Sequence, residues 1–251
     1  MKISVIIPMY NESSIIEDSI KKFHTYMENT FEDFELIFVD DGSKDGCSEF
    51  VKAAEGKLSG VRLIRYENNR GKGCAVRTGM LAASGDVAMF TDCDIAYGVE
   101  IIKNVYDYFV FDDEKVKNGS VRTSVVVGSR NLTEDGYEGY TFIRKLASKI
   151  YIKVLCITAG FNLSDSQCGM KGFRTKDAKE IFSECETDGF AFDFEVLLTA
   201  KSKGFKMDEI PVKIINHRES KIHVLSDTFK MLGDLMRIKR RVKEKNKKTT
   251  S

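Results

Sequence analysis

The chain has 251 residues, of which 42% are hydrophobic and 31% charged, with two prolines and 19 glycines. This composition excludes a collagen-like, low-complexity or wholly disordered protein, and chains of about 200 to 250 residues routinely form one α/β domain. No run of about 18 consecutive apolar residues is present, so we expect no membrane-spanning helix and a cytoplasmic protein. The six cysteines form no Cys-x-x-Cys pair, and we expect free thiols.

The net charge of +1 is unevenly distributed along the chain. Residues 221–251 contain ten Lys and Arg against three Asp and Glu, which gives this end a charge of +7 and leaves −6 for residues 1–220. A basic end on an acidic body is typical of a segment that meets an anionic surface such as membrane headgroups. A solvated chain terminus is the equally simple alternative.

The first half of the chain repeats a strand, turn and helix pattern. Short apolar runs predict strands at Ile3–Ile7, Phe34–Val39, Val61–Tyr66 and Val87–Thr91. Apolar residues at helical spacing follow the first three runs. Four such strands within the first 95 residues predict an α/β fold with a mostly parallel central sheet and helices on both faces.

The second half is less regular. It predicts strands at Val121–Ser129 and Ile210–Ile215, and helices at Phe142–Ala159, Ala191–Lys203 and Leu225–Val242. The last helix is amphipathic, which is typical of helices that lie on a membrane surface or pack on their own domain. We therefore predict one α/β domain over residues 1–220, followed by an amphipathic helix and basic tail over residues 221–251.

Polar clusters follow the predicted strands, and in open α/β sheets ligands bind at the carboxyl ends of strands. Asp92 and Asp94 follow the fourth strand and can approach one hard divalent cation together. Because Mg²⁺ and Mn²⁺ are commonly held by one or two carboxylates plus substrate phosphates, this pair predicts a diphosphate-metal site. An isolated Asp-x-Asp is also common in turns, so the pair alone is weak evidence.

Three other clusters have both a structural and a functional interpretation. Asp40-Asp41-Gly42-Ser43 predicts either a turn before the next helix or a carboxylate that binds a ribose or base. Lys72 lies between two glycines at a predicted helix N-terminus, which a phosphate could approach. Asp165 lies in a loop as either a turn residue or a positioned carboxylate. The spacings of a P-loop and of a dinucleotide-binding loop are both absent.

Taken together and in this order, the clusters resemble glycosyltransferase family 2, with the GT-A nucleotide-diphospho-sugar transferase fold. The strings that carry this resemblance are Val5-Ile-Ile-Pro-Met-Tyr-Asn-Glu12, Val39-Asp-Asp-Gly-Ser43, Asn69-Arg-Gly-Lys-Gly73 and Asp92-Cys-Asp94. Later strings resemble the dolichyl-phosphate β-glucosyltransferase branch, with dolichol-phosphate mannose synthases as neighbours. They are Gly128-Ser-Arg130, Asp165-Ser-Gln-Cys-Gly-Met-Lys171, Phe190-Ala-Phe-Asp-Phe-Glu195, Ile210-Pro-Val212 and Ser220-Lys221.

The resemblance implies an inverting, metal-dependent hexosyltransferase that moves a sugar, glucose from UDP-glucose in this branch, to a polyprenyl or dolichyl phosphate. It implies Mg²⁺ or Mn²⁺ as cofactor, held by Asp92 and Asp94. The catalytic residues that we predict are Asp94 and Asp165. The residues that it places around the nucleotide sugar are Pro8, Tyr10, Asn11, Glu12, Asp40, Asp41, Lys72, Arg77 and Asp92. Those that it places at the acceptor phosphate are Arg130, Arg218, Ser220 and Lys221.

One departure bears on the branch: Ile95-Ala-Tyr97 follows Asp94, unlike the Leu-Gln-His/Asp of mannose synthases. This departure removes one possible metal ligand and favours the glucosyl branch. We expect a cytoplasmic protein, either free or peripheral on the cytoplasmic face of a membrane, and no nucleic-acid partner. The oligomeric state is not predicted.

Two other functions remain open from the sequence. One is transfer to a hydroxyl of a polysaccharide, polymer or protein, which needs a general base such as Asp165. A phosphate monoester, with a second pKa of about 6, is already ionised and needs none. The other is a non-catalytic protein that binds nucleotide sugars.

Overall fold

The computed structural model describes residues 1–137, 142–216 and 224–249. The strands are β1 Ile3–Met9, β2 Phe34–Asp41, β3 Val61–Tyr66, β4 Val87–Phe90, β5 Thr123–Ser129, β6 Lys171–Arg174 and β7 Lys206–Pro211. The helices are α1 Ile16–Thr30, α2 Cys47–Glu55, α3 Lys72–Ala82, α4 Ile101–Lys117, α5 Phe142–Ala159, α6 Thr175–Glu184, α7 Phe192–Ser202 and α8 Val224–Thr249, and a 3₁₀ turn covers Arg130–Leu132.

The seven strands form one sheet in the order β3-β2-β1-β4-β6-β5-β7. Strand β6 is antiparallel to both of its neighbours, and the other paired strands are parallel. The other six strands therefore end at one edge of the sheet. Because β6 runs in the opposite direction, it begins at that edge, with Lys171 as its first residue.

The predicted mostly parallel sheet with helices on both faces is confirmed. Alternate residues of β1 point to opposite faces: Ile6 packs in a core with α3 and α5 to α8, whereas Val5 and Ile7 pack in a core with α1, α2 and α4. Pro8 fits within β1 because pairing with β4 ends at Ile6 opposite Phe90.

The four strands predicted in the first half are confirmed to within two residues at each end. The prediction for the last strand was wrong by four residues, since β7 covers Lys206–Pro211 and not Ile210–Ile215. Strand β7 is the outermost strand of the sheet and pairs only with β5. Polar residues are tolerated in such a strand, so its sequence lacks a continuous apolar run. Helix α4, strand β6 and helix α6 were not predicted.

The apolar stripe of α8 faces the protein along the second half of the helix. Leu235, Ile238 and Val242 are buried in the same core as α7, whereas Met236 is 66% exposed. The predicted boundary between residues 220 and 221 lies within residues 217–223, outside the described residues, so this division stays a prediction. No helix of the described residues is long and apolar enough to cross a membrane.

Replacement of Ile238 tests the packing of α8. We expect Ile238→Ala to lower the free energy of unfolding in urea by about 2 to 5 kcal/mol, because it removes buried methyl groups and leaves a cavity. The matched control is Met236→Ala, for which we expect a change within about 0.5 kcal/mol, as for other exposed positions. Equal effects at the two positions would contradict the packing of this helix on the core.

Candidate functional site

The edge of the sheet where the strands end brings the predicted clusters together around Asp92. The ammonium of Lys72, at the start of α3, donates to Oδ1 of Asp92 at 2.5 Å. Gly169 lies against the other carboxylate oxygen, since a Cβ atom at this position would be 2.3 Å from Oδ2 of Asp92. The start of α3, the end of β4 and the loop before β6 therefore meet at the Asp92 carboxylate.

Asp94 lies in an electrostatically unfavourable place for a carboxylate. The burial of Asp94, and then the charge of Asp92, raise the pKa of Asp94. The amide of Ala96, which donates to Oδ1 at 3.1 Å, and the nearby Lys72 act in the opposite direction. Glu12 raises the pKa of Asp94 further, which places the loop after β1 close to the pair. Three acidic side chains thus share a region that contains one ammonium group, and an added cation would relieve their repulsion.

This donor set fits a hard divalent cation that is shared with a substrate. Carboxylate oxygens are the ligands that Mg²⁺ and Mn²⁺ prefer. Within residues 1–137, 142–216 and 224–249, no group of three or more His, Cys, Asp and Glu side chains could hold a metal by itself. A cation held by Asp92 and Asp94 would therefore need further oxygens, from water or a bound diphosphate, to complete the coordination.

Lys72 is held as a cation. Burial lowers its pKa, but the carboxylates of Asp92 and Asp193 outweigh this and raise it above the ordinary value. Asp193, near the start of α7, also accepts from the fully buried ammonium of Lys171 at 2.6 Å. Lys171 in turn donates to the backbone oxygen of Cys168 at 2.8 Å, which fixes the loop that carries Gly169.

The glycines on either side of Lys72 make room for protein backbone. The amides of Gly73 and Cys74 donate to the backbone oxygen of Asp188 at 2.7 and 3.3 Å. A Cβ atom on Gly71 would be 2.4 Å from that oxygen. These glycines therefore pack on the backbone of residues 187–188, and the approach of a phosphate to Lys72 stays a prediction.

Asp40 and Asp41 bind protein groups at the end of β2. Asp40 is fully buried, accepts from the amide of Ser43 at 2.9 Å and pairs with Arg65 at 3.2 Å, so it holds the bend after β2; it does not cap α2, whose N-cap residue is Gly46. Asp41 accepts from the amides of Arg70 and Gly71, both at 2.8 Å. These contacts attach the loop before Lys72 to the end of β2, and a role of either carboxylate in nucleoside binding stays a prediction.

The loop after β1 is bound to the loop after β2. Asn11 has a φ of +53°, its amide donates to the hydroxyl of Ser43 at 2.9 Å, and its side chain accepts from the amide of Lys44 at 2.9 Å. Tyr10 is 41% exposed beside it. Of the residues predicted in this loop, Glu12 is close enough to Asp94 to raise its pKa, and the place of Pro8, Tyr10 and Asn11 beside a nucleotide stays a prediction. Arg77, on α3, instead forms an ion pair with Asp188.

Arg130 and Asp165 form a buried ion pair at the end of β5. Nε and Nη2 of Arg130 donate to the two oxygens of Asp165 at 2.6 and 2.9 Å, and the amide of Gln167 donates to Oδ1 at 3.2 Å. The guanidinium also lies 5.1 Å from the centre of the Tyr137 ring. Asp165 is completely buried, which favours a structural role for this carboxylate. The ion pair with Arg130 would have to separate before Asp165 could act as a base.

Several residues of the site were missed by the sequence analysis. Glu209 accepts from the amides of Ser164 and Asp165, at 2.8 and 3.0 Å, and so holds the loop that carries Asp165. The amide of Gly169 donates to the hydroxyl of Tyr97 at 3.1 Å. These contacts join distant segments and leave no local pattern in the sequence. The predicted acceptor residues Arg218, Ser220 and Lys221 lie outside the described residues.

A cavity of about 520 Å³ lies between α5 and the segment 160–164. Its walls include apolar side chains and two lysines: Ile152, Ile157, Phe161, Leu163, Lys149 and Lys153. Asn131 and Ser164 line it as well, and the side chain of Asn131 donates to the backbone oxygen of Ser164 at 2.6 Å. The cavity therefore lies next to the segment that carries Arg130 and Asp165.

Replacement of Gly169 tests whether its contact with Asp92 shapes the site. We expect Gly169→Ala to weaken the binding of UDP with Mn²⁺ by about tenfold or more, because the added methyl must displace the Asp92 carboxylate. Isothermal titration measures this affinity, and far-UV circular dichroism checks the fold. The control Gly56→Ala, at a helix end where the added atom meets only ordinary contacts, should bind as the wild type does. Unchanged affinity in Gly169→Ala would show that the site lies elsewhere.

Comparison with known proteins identifies the family. The model of glycosyl transferase family 2 matches residues 4–182. A dolichyl-phosphate beta-glucosyltransferase of Dictyostelium discoideum is 30% identical over 94% of this chain and 73% of its own length, and one of Trichomonas vaginalis is 32% identical over 94% and 72%.

A solved structure shares the fold at low sequence identity. Glucosyl-3-phosphoglycerate synthase from Mycobacterium tuberculosis, crystallised with Mn²⁺, UDP and phosphoglyceric acid, superposes with a TM-score of 0.66 at 19% identity. The match covers 96% of this chain and 78% of that chain. The chain therefore belongs to glycosyltransferase family 2 and has the GT-A fold.

Proposed function

We propose that this protein transfers glucose from UDP-glucose to a polyprenyl or dolichyl phosphate, with inversion at the anomeric carbon. The observation that carries the proposal is the meeting of Asp92, Asp94 and Lys72 at the end of β4, in a chain of this family. The names of the relatives that align over most of the chain support the substrates.

The charges at the end of β4 suit a departing diphosphate. When bound by Asp92 and Asp94, Mg²⁺ or Mn²⁺ would neutralise the negative charge that develops on the leaving group. The Mn²⁺ and UDP crystallised with the structural neighbour support this assignment. Lys72, kept protonated by Asp92 and Asp193, adds a fixed positive charge at the same place.

The acceptor side needs no general base if the nucleophile is a phosphate. A phosphate monoester already carries the charge that attacks the anomeric carbon, while the bond from that carbon to the diphosphate oxygen breaks. Asp165 is fully buried and already bound by Arg130, so it is poorly placed to act as a base. This arrangement suits a phosphate acceptor, which needs no base. The same observation argues against the alternative of a hydroxyl acceptor activated by Asp165.

The cavity beside α5 favours a lipid acceptor. Its apolar walls suit an isoprenoid chain, and the ammonium groups of Lys149 and Lys153 carry the charge that complements a phosphate. It lies beside the Arg130 segment, so an amphiphile there would have its phosphate near the site. A neutral sugar acceptor would make no use of these apolar walls.

We infer that the protein binds the cytoplasmic face of a membrane peripherally. Ile157 on α5 is 71% exposed, and the ammonium of Lys239 on α8 donates to the backbone oxygen of Thr158, so the two helices are adjacent. Met236 and Arg237 are exposed on the outer side of α8, as is Lys243. This exposed surface combines apolar and cationic side chains, which suits an anionic lipid surface.

Replacement of Asp94 tests the transferase proposal. We expect Asp94→Ala to lower glucose transfer from UDP-glucose to farnesyl phosphate by about 100-fold or more, because the charge of the leaving group loses its counter-ion. Asp92→Ala should lower transfer less completely. The control Asp107→Ala removes an exposed carboxylate of α4 that pairs with Lys103, and it should transfer at the wild-type rate.

The same assay distinguishes the acceptors. If the wild-type protein glucosylates a neutral sugar but not farnesyl phosphate, the lipid-phosphate proposal is wrong and the hydroxyl acceptor is favoured. If it binds UDP-glucose but transfers glucose to neither acceptor, the non-catalytic alternative is favoured.

A charge reversal on α8 tests membrane binding. The double variant Arg237→Glu/Lys243→Glu should sediment much less with anionic vesicles than the wild type, since each charge contributes on the order of 1 kcal/mol near such a surface. Both side chains are exposed, so UDP binding should be unchanged. Deletion of residues 237–251 is a poor test, because it removes the buried Ile238 and Val242. Equal sedimentation of wild type and variant at low salt would contradict peripheral binding through this surface.

A further inference from the structure

The basic end of the chain contains two cations that face inward. Arg241 forms ion pairs with Glu195 and, at 3.3 Å, with Glu186, and it donates to the hydroxyl of Thr187 at 2.8 Å. Lys245 donates to the backbone oxygen of Glu184 at 2.7 Å and pairs with Glu186. Two of the charges that the sequence assigns to a free tail are therefore bound to the segment between α6 and α7.

This segment is also held by a buried carboxylate. The side chain of Glu195, on α7, is 1% exposed, and its Oε2 accepts from the amides of Glu186 and Thr187 at 3.0 and 2.7 Å. Its other oxygen accepts from Arg241. Arg241 thus supplies the countercharge for a carboxylate that would otherwise be buried with only backbone donors.

The far side of the same segment fixes the start of α3. The backbone oxygen of Asp188 accepts from the amides of Gly73 and Cys74, and the Asp188 carboxylate pairs with Arg77. A Cβ atom on Gly73 would be 2.4 Å from the backbone oxygen of Thr187. Lys72, which reaches Asp92, lies between the two glycines that pack on this segment.

We propose that Arg241 is a positioning residue for the donor site. Arg241 binds Glu195, Glu186 and Thr187 and so fixes residues 186–188. Residues 187–188 in turn pack on the backbone on either side of Lys72, next to the end of β4. The effect passes through packed backbone and through the partly buried ion pairs Arg241–Glu195 and Arg77–Asp188, so a loosened segment lets the ammonium of Lys72 move away from Asp92. This inference rests on the proposed transfer from UDP-glucose and extends it to a residue on α8.

The test compares neighbouring arginines in the full-length protein. Arg241→Gln removes the countercharge of Glu195 and should raise both the KM for UDP-glucose and the Kd for UDP with Mn²⁺ by about tenfold, the size typical of supporting groups around a ligand site. The KM for farnesyl phosphate should stay within about twofold of wild type. Arg240→Gln, at an exposed side chain that pairs with Glu244, is the matched control and should leave all three constants unchanged.

The conservative variant separates positioning from general stability. Arg241→Lys keeps the charge beside Glu195 but lacks the planar fork, so it should recover part of the donor affinity. Thermal denaturation of each variant is measured in parallel. If Arg241→Gln does not fold, Thr187→Val removes the hydroxyl that Arg241 contacts and should raise the donor KM in the same direction by a smaller factor.

Four outcomes of these measurements are informative. A rise in the donor constants alone, absent in Arg240→Gln and partly reversed in Arg241→Lys, supports the proposal. Unchanged donor constants in folded Arg241→Gln or Thr187→Val overturn it, as does an equal loss in donor and acceptor constants that follows the melting temperature. If the wild-type protein itself neither binds UDP nor transfers glucose, the proposed function falls, and this inference falls with it.

Discussion

The contact between Lys72 and Asp92 is the interaction on which the rest of the site depends. It joins the start of α3 to the end of β4, and it places one ammonium group among the acidic side chains of Asp92, Asp94 and Glu12. Burial and then the charge of Asp92 raise the pKa of Asp94, and the ammonium of Lys72 opposes this shift. The glycines at 71, 73 and 169, with no side chains of their own, let protein backbone or carboxylate approach closely enough for this arrangement.

Two sides of the site differ in how they are built. The proposed donor side uses Lys72 at the start of α3 and the loops that follow β1, β2 and β4, all within the first 94 residues. The proposed acceptor side uses β5, the reversed strand β6 and the loop before it, where Arg130 and Asp165 form their pair. Lys171 connects the two sides, because its buried ammonium binds both the Cys168 backbone and Asp193 beside Lys72.

The sequence predicted the strands and site residues that are marked by a pattern of neighbouring residues. Apolar runs followed by polar clusters mark β1, β2 and β4, and the Asp-x-Asp pair and Lys72 were identified from residue type and spacing. It could not predict that Asp188 covers the glycines of α3, since Arg77 and Asp188 are 111 residues apart and neither segment carries a pattern for the other. In the same way, counting cations between residues 221 and 251 could not reveal that Arg241 points inward while Arg237 is exposed.

The packing of residues 187–188 on Gly71 and Gly73 has a consequence for the order of assembly. Strands β1 to β4 pair with one another and all lie within the first 90 residues, whereas the start of α3 receives its backbone partner only when residue 188 is in place. Closing this loop costs more conformational entropy than closing the shorter connections between β1, β2, β3 and β4, and it slows folding. On the ribosome, therefore, the first four strands can be synthesised well before Lys72 acquires a fixed position, and the binding site is completed only after three-quarters of the chain has been made.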